Sequence, residues 1–368
     1  MKKLIPAVVA LSLLLTGCGP LDASRRELEQ LLLIETLGID APSGTVLVSA
    51  GAKTDDEPMT LEARGSTVSE AVDSLHNSAH EEELFFPHTQ RIVIGEKTAK
   101  KSIEPYLSYV CQSPEVRLGV PIYIIEGSTA NELISSVGAD GAGVSAVLEA
   151  IETENARRDM PVFSAADVAR STAHSSSALA CAIKLTPCDN GLAPTAFFSG
   201  YGILKSGRLR GFIGAEYLAG LGLILGRVPL CRIAVKDMYG ADVTLDLGGG
   251  SAEFTPVFDG DELSALNITC EAEASVSEIS GSGSFSADGY ALFLEKQLEA
   301  ELVRQMRAVV ELSQELNSDF AGLAERTELA APMKFRRMEG GFSSVFPQLA
   351  IGLSVKASIS HTNDIGEA

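Results

Sequence analysis

The chain has 368 residues, of which 45% are hydrophobic, and its formal net charge at pH 7 is −20. This length is more than one hydrophobic core usually holds, so two or three domains are expected, and the apolar content is typical of a globular protein. The negative charge argues against a surface for nucleic acid or anionic headgroups, because both would be repelled.

The first twenty residues resemble a bacterial export signal. Two lysines precede an apolar run over residues 4–15, which is too short for a membrane-spanning helix. The run ends in Leu15-Thr16-Gly17-Cys18, which is similar to the lipobox of bacterial lipoproteins, where the cysteine receives diacylglycerol on its sulfur and an acyl chain on its new amine. We predict a signal peptide over residues 1–17 and lipid attachment at Cys18, because two or more acyl chains give near-permanent membrane binding. The alternative is a secreted protein in which Cys18 is incidental.

Residues 18–134 are predicted to form an N-terminal α+β domain. Apolar spacing predicts helices, and β-branched apolar runs predict strands. The predicted helices cover residues 25–38, 67–79 and 99–111, and the predicted strands cover residues 45–52, 91–95 and 116–126.

Residues 135–230 are predicted to form a middle domain. Glycines and serines between residues 135 and 145 indicate a linker, and a helix-like stretch then reaches about Arg157. Two apolar runs around Lys205-Ser-Gly-Arg208 predict a β-hairpin over residues 195–213, with a helix over residues 216–225 packed on it.

Residues 231–368 are predicted to form a C-terminal α+β domain. Strands with turns at residues 239–240, 248–250 and 259–260 precede a long helix over residues 286–316, whose leucines form one apolar stripe. A final strand is predicted over residues 348–358. The sum is an α+β fold of three small mixed domains, each a mostly antiparallel sheet with flanking helices.

One glycine-rich segment invites a nucleotide-binding interpretation. Asp246-Leu-Gly-Gly-Gly-Ser251-Ala-Glu253 resembles a phosphate loop of the actin and exopolyphosphatase superfamily, in which backbone N–H groups approach phosphate. That superfamily needs a second such loop near the start of the chain, and none is present. A hairpin turn is therefore preferred, and no nucleotide is expected.

The remaining chemistry-bearing residues do not form a convincing active site. His76, His80 and His88 flank three glutamates and suggest a metal site, but a solvated helix end is the preferred interpretation. No Gly-x-Ser-x-Gly elbow is present. We therefore predict no catalytic residue, no metal and no cofactor.

The cysteines after Cys18 are odd in number and widely spaced. They are expected to be mostly small buried hydrophobic residues, although a bridge between Cys181 and Cys188 stays open. They are Cys111, Cys181, Cys188, Cys231 and Cys270.

The order of short motifs along the chain resembles the Ger(x)C family, the lipoprotein C subunits of bacterial nutrient germinant receptors in spores. The motifs follow the lipobox in the family's order, although the chain has no Trp where the family usually has one. They are Arg26-Glu27-Leu28, Gly38-Ile39-Asp40, Leu84-Phe-Phe-Pro-His88 with Val93-Ile-Gly-Glu96, Ser113-Pro-Glu-Val-Arg117 with Ala130-Asn-Glu-Leu133, the hairpin 200–211, Glu216-x-x-x-Gly220 and Asp319-x-x-Gly322.

The resemblance implies a non-enzymatic subunit that assembles with two integral membrane partners, the A and B subunits, on the outer leaflet of the spore inner membrane. It implies a role in nutrient-triggered germination, without nucleic acid or nucleotide. Arg26, Glu27 and Arg117 are candidates for partner contact, although each could equally be a helix cap or part of an ion pair. The alternative is a solute-binding or envelope-assembly lipoprotein unrelated to germination.

Overall fold

A computed structural model describes residues 31–53, 58–79, 83–137, 143–187, 193–280, 289–338 and 341–360. In this part of the chain the strands form a nine-stranded and a four-stranded sheet. The first sheet contains β1 (Leu31–Asp40), β2 (Val46–Lys53), β3 (Pro58–Gly65), β4 (Glu83–Phe85), β5 (Arg91–Gly95), β6 (Ile122–Glu126), β7 (Ser177–Thr186), β8 (Thr195–Lys205) and β9 (Arg208–Gly214).

The first sheet has a parallel centre and antiparallel ends. Its order is β3-β2-β1-β5-β6-β7-β8-β9, and β4 pairs with the start of β1. The central strands β1, β5, β6 and β7 run parallel to one another. At one end β2 and β3, and at the other β8 and β9, pair antiparallel with their neighbours. Parallel strands need crossover connections, which helices supply here.

Helices cover both faces of the central strands. They are α1 (Val68–Ser78), α2 (Glu96–Lys101), α3 (Glu104–Gln112), α4 (Ala130–Ser136), α5 (Gly143–Arg157) and α6 (Ala165–Ser175). Ile92 and Ile124 share a buried cluster with side chains of α1, α3 and α6. Val93 and Tyr123, on the other face, cluster with side chains of α4 and α5. Burial on both faces explains why Ile92, Val93 and Ile94 of β5 are apolar without alternation.

The second sheet is covered on one face. Its strands are β10 (Cys231–Lys236), β11 (Asp242–Asp259), β12 (Glu262–Ile279) and β13 (Ala350–Ser360), in that order. Buried side chains such as Leu266 and Ile268 pack with α7 (Leu218–Leu225) and α8 (Tyr290–Glu315). The alternate residues of β12, such as Thr269 and Glu271, are exposed. Three short helices complete this half: α9 (Leu323–Ala330), α10 (Pro332–Phe335) and α11 (Phe342–Val345).

The long helix predicted from its leucine stripe is present as α8. Leu294, Leu298 and Leu302 are fully buried, as the stripe requires. The helix approaches α7 closely at Gly220, where a β-carbon would lie 2.6 Å from the backbone carbonyl carbon of Gln305. The glycine of the Glu216-x-x-x-Gly220 motif is therefore needed for helix packing.

The start of the described chain differs from the prediction. Residues 31–38 belong to strand β1 and do not form the predicted helix, while residues 25–30 lie outside the described residues. The segment has several leucines, whose spacing fits either a helix or a strand. Pairing with β2 on one side and β5 on the other selects the strand. Likewise, the strand predicted over residues 116–126 begins only at Ile122.

The glycine-rich segment is also not a turn. Gly248, Gly249 and Gly250 lie inside β11, where a register shift against β12 marks a bulge. A β-carbon at Gly250 would collide with the carbonyl oxygen of Glu271 on β12. Glycine is required there by the neighbouring strand, and the segment is neither a phosphate loop nor a hairpin turn.

The α+β class is confirmed, with antiparallel-dominated sheets and flanking helices. The structure adds that the predicted N-terminal and middle domains contribute to one sheet, because β6 pairs with β7 across the expected boundary at residues 134–135. The connection through α4, α5 and α6 is the crossover that a parallel pair requires. The boundaries 18–134, 135–230 and 231–368 stay a prediction. Among the described residues, no helix is both long and apolar enough to cross a membrane.

Candidate functional site

Of the residues predicted to act at the membrane or in partner contact, Arg117 lies among the described residues. Cys18, Arg26 and Glu27 lie outside the described residues. Arg117 is exposed in the loop between α3 and β6, next to Leu118, whose exposed fraction is 48%. Ala166 N donates a 3.0 Å hydrogen bond to Leu118 O, so the loop is held to the start of α6.

Asp40 of the Gly38-Ile39-Asp40 motif has a structural role. Its carboxylate accepts hydrogen bonds from Ala130 N at 3.1 Å and Asn131 N at 2.8 Å, so it caps α4 from the end of β1. A β-carbon at Gly95 would collide with this carboxylate. Burial raises the pKa of Asp40, and the two backbone hydrogen bonds oppose that rise.

Asp319 of the Asp319-x-x-Gly322 motif has a similar role in the second half. It accepts hydrogen bonds from Leu323 N and Ala324 N, both at 2.8 Å, and so caps α9. Burial raises its pKa, against the two backbone hydrogen bonds and the positive charge of Lys205. Its neighbour Ser318 donates a 3.2 Å hydrogen bond to Leu204 O, which ties this corner to β8.

A buried ion pair joins β5 to α5. The Arg91 guanidinium donates to both carboxylate oxygens of Glu152, at 2.8 and 2.6 Å, and Tyr123 Oη donates to the same carboxylate at 2.9 Å. The Arg91 side chain is 4% exposed. Sequence reasoning missed this pair, because its two members are 61 positions apart.

The histidines do not form a metal centre in the described residues. The His76 ring packs edge-on against Phe86, with centroids 5.2 Å apart, and a His88 ring nitrogen lies 3.3 Å from Gln90 Nε2. His80 lies outside the described residues. Across the described ranges, no group of three or more His, Cys, Asp or Glu side chains could hold a metal ion.

A broad concave surface lies at the junction of the two sheets. This cleft, with a volume of about 1210 Å³, is lined by α5, the start of β8, the segment before α7, and parts of β10 and β11. We call it the inter-sheet cleft. Its apolar lining includes Phe197 and Leu230, which are 43% and 46% exposed.

The rim of the inter-sheet cleft carries charges of both signs. Glu154 pairs with Arg158 at 2.7 Å, and Asp246 pairs with Arg232 at 3.1 Å. Glu216 also lines the cleft and forms no ion pair with any described residue. The cleft therefore holds one carboxylate more than its guanidinium groups neutralise.

Asn155 gives the cleft a buried polar group. The residue lines the cleft and is 4% exposed, yet its Nδ2 has no hydrogen-bond partner among the described residues. By contrast, Gln305 in the same lining is satisfied, because it accepts from Gly220 N at 3.2 Å and donates to Glu301 at 2.9 Å. An unpartnered buried amide is uncommon, since its desolvation is not compensated.

The thiols near the cleft are poor nucleophiles. Cys231 lines the cleft, and burial raises its pKa to about 11. Cys181 is fully buried in β7, where burial raises its pKa to about 12. Both thiols are free in the structure, and Cys188 lies outside the described residues. At neutral pH these thiols stay protonated, so the geometry supports binding more than nucleophilic chemistry.

A second, smaller groove lies between α1 and α3. It has a volume of about 870 Å³ and includes Tyr106, Tyr109 and Gln112 with several serines. No unpartnered buried side-chain atom in the described residues belongs to its lining. The inter-sheet cleft is therefore the stronger candidate for a binding site.

Comparisons with known proteins account for nearly the whole chain. Residues 24–185 match a family described as the spore germination protein N-terminal domain, and residues 199–363 match one described as spore germination B3/GerAC like, C-terminal. The crystal structure of the GerBC protein is similar in fold, with a TM-score of 0.61 and 17% sequence identity over 89% of this chain and 97% of that one. No curated protein sequence matches the chain.

Proposed function

The chain belongs to the Ger(x)C family of spore germination proteins, and on that premise we propose that it is a lipid-anchored, non-enzymatic subunit of a nutrient germinant receptor. The observation that carries the proposal is the succession of the two family domains, which together leave only short stretches of the chain unmatched. The lipobox-like sequence before Cys18 supports membrane attachment.

We further propose that the subunit assembles with two integral membrane partners on the outer leaflet of the spore inner membrane. Arg26, Glu27 and Arg117 are the proposed contact residues. The exposure of Arg117 beside the exposed Leu118 supports this role, because arginine is enriched at protein interfaces relative to the rest of the surface.

Deletion of the gene tests the proposed function. Spores of the deletion strain are expected to lose nutrient-triggered germination and to germinate normally with a non-nutrient trigger. Normal nutrient germination, in a strain without a second receptor for the same nutrient, would contradict the proposal and favour a solute-binding or envelope-assembly lipoprotein.

The anchor is tested by Cys18→Ala, with Cys111→Ala as the matched control because Cys111 is an exposed free thiol. The first variant is expected to leave the membrane fraction and lose lipid labelling, whereas the second keeps both. Retention of Cys18→Ala in the membrane with label would contradict lipid attachment at that residue.

Partner contact is tested by Arg117→Glu, with Arg210→Glu as a control at another exposed arginine. Co-purification of the membrane subunits from spore membranes is expected to fall for the first variant only. Equal recovery with both variants would remove Arg117 from the interface.

A further inference from the structure

We propose that residues 329–338 form a second contact with the membrane, by binding an anionic lipid surface beside the lipid anchor. We call these residues the basic apolar segment. Which way the contact faces rests on the proposed lipid attachment at Cys18, whereas the binding itself rests on the residues of the segment.

The composition of the basic apolar segment differs from that of the chain as a whole. Its sequence is Leu-Ala-Ala-Pro-Met-Lys-Phe-Arg-Arg-Met, so every residue is apolar or positively charged. The whole chain has 49 acidic and 29 basic residues, and an average surface of that balance repels anionic lipid. A local excess of positive charge binds such a surface nevertheless, because charges farther away than about 8 Å are largely screened at physiological salt.

Both kinds of side chain in the segment are open to solvent. Leu329 at the end of α9 and Met333 in α10 are 76% and 62% exposed. Lys334, Arg336 and Arg337 are exposed as well. Segments that bind the interface of an anionic bilayer combine these features, because apolar side chains enter the acyl boundary while lysine and arginine approach the headgroups.

The positive charges are weakly engaged within the protein. Arg336 forms no ion pair with a described residue. Lys334 Nζ lies 5.1 Å from the ring centroid of Phe258. Arg337 lies 3.8 Å from Asp261, and both side chains are more than half exposed, so this pair stabilises the protein little. Asp261 belongs to the acidic turn between β11 and β12, so Arg337 is the cation with the smallest expected contribution.

An aromatic stack holds the segment in place. The Phe335 ring stacks on Phe342 with centroids 6.2 Å apart, and Phe342 stacks on Phe346 at 5.3 Å. Phe342 and Phe346 are both buried. The exposed side chains are therefore presented from a packed part of the second half, and binding does not have to order the segment first.

Strand topology relates the segment to the start of β1. Because β1, β5, β6 and β7 are parallel, they all begin at the same edge of the first sheet. The end of β8 lies at this edge too, since Lys205 pairs with Ser177 at the start of β7. Ser318 Oγ donates to Leu204 O at 3.2 Å, which ties the chain just before α9 to the same edge. Helix α9 has eight residues, about 12 Å of length, and leads directly into the segment.

The lipid anchor approaches the molecule from this edge. The thirteen residues from Cys18 to Gln30 precede Leu31, and a chain of that length spans at most about 45 Å. Strands β1 and β8 are four strand spacings apart, about 19 Å. Arg117, just before β6, also lies at this edge. A bilayer held by Cys18 is therefore within reach of the basic apolar segment.

The test measures co-sedimentation of the mature chain, residues 18–368 carrying Cys18→Ala, with lipid vesicles. Without acyl chains, any binding comes from the protein surface. Vesicles of equal parts phosphatidylglycerol and phosphatidylcholine are expected to bind at least about fivefold more protein than phosphatidylcholine alone at about 50 mM salt. Binding should disappear at about 500 mM salt, because the charges are then screened. The contact is reversible, so this variant still leaves a washed membrane fraction.

Variants locate the contact. The triple variant Lys334→Gln, Arg336→Gln and Arg337→Gln is expected to bind the anionic vesicles at least tenfold more weakly, because each cation near such a surface contributes about fivefold. Met333→Ser should weaken binding about threefold, through loss of the apolar contact. All four side chains are exposed, and unchanged melting temperatures would show that the variants fold.

A matched control separates local charge from net charge. The helix α2 follows β5 directly and so lies at the opposite edge of the first sheet, where the parallel strands end. It carries three exposed lysines within five positions, and the control variant is Lys97→Gln, Lys100→Gln and Lys101→Gln. This variant loses the same three positive charges and is expected to keep its vesicle binding.

The outcomes separate this inference from the proposed function. Equal binding to both kinds of vesicle, no binding to either, or equal losses in the two triple variants would overturn the inference even if the deletion strain fails to germinate. Loss of the membrane subunits from the purified complex, with vesicle binding unchanged, would assign the segment to a protein partner instead. Vesicle binding that depends on the segment, combined with normal germination of the deletion strain, would keep the lipid contact and remove the germination role.

Discussion

The two sheets bury their strands to different extents. In the first sheet, every residue of β5 is buried, because helices lie on both faces. In the second sheet, β12 alternates buried and exposed residues over most of its length, because only one face is covered. The first sheet is thus built as a scaffold, whereas the second leaves a broad polar face open.

The two halves also fix their helices by different contacts. In the first sheet a buried ion pair between Arg91 and Glu152 fixes α5 against β5. The second half instead relies on close helix packing at Gly220 and on a buried helix cap at Asp319. If these differences matter, substitutions in the two halves should lower the free energy of unfolding by unequal amounts.

Truncation at the doubly covered centre should be the most damaging change. Ile124→Ala in β6 removes a fully buried side chain and is expected to lower the free energy of unfolding by about 2–5 kcal/mol. Thr269→Ala, on the exposed face of β12, should change it by about 0.5 kcal/mol or less. Urea denaturation of both variants measures the difference, and similar losses would contradict the unequal burial of the two sheets.

Removal of Glu152 should rank next. Glu152→Ala leaves the buried Arg91 guanidinium and the Tyr123 hydroxyl without their acceptor, at an expected cost of about 3 kcal/mol. Glu154→Ala, two residues further along α5, removes only surface ion pairs with Arg157 and Arg158 and should cost about 1 kcal/mol or less. If chemical denaturation gives the two variants equal stability, the buried pair does not hold α5 in place.

A methyl group at Gly220 should cost less but still be measurable. Gly220→Ala forces α7 away from the α8 backbone and is expected to lower the free energy of unfolding by about 1–3 kcal/mol. Gly119→Ala is the control, because no atom of the described residues lies within 4 Å of a β-carbon at that position. A thermal unfolding midpoint of Gly220→Ala equal to that of the control would show that α7 and α8 separate without penalty.

The smallest effect concerns pH and the buried cap at Asp319. Burial raises its pKa, so the folded state binds the proton more tightly than the unfolded state does. This contribution to stability is complete below about pH 4, the usual pKa of an aspartate, and is lost as the pH rises through the raised folded value.

Asp319→Asn removes that titration. Relative to the wild-type chain, the variant should therefore gain stability as the pH rises from about 4 towards neutral. Denaturation at a series of pH values, with Glu325→Gln on the exposed side of α9 as control, measures the difference. A stability difference that does not change with pH would show that Asp319 titrates normally.

Local patterns predicted the elements whose residues are neighbours in sequence. The hairpin of β8 and β9 followed from its turn residues, α8 from its leucine stripe and β13 from its alternation. The order of motifs was also enough to indicate the family, which the two domain matches confirm. These features depend on spacing along the chain, and spacing is visible in the sequence.

The rest depended on which segments meet in space. Residues 31–38 are a strand because β2 and β5 pair with them, and the glycines of β11 are needed because β12 lies beside them. The inter-sheet cleft joins residues from α5, β8, β10 and β11, and the partner of Arg91 is 61 positions away. The sequence by itself determined the periodicity and the motif order, whereas only the tertiary structure decided pairing, close approach and burial, because these are relations between distant residues.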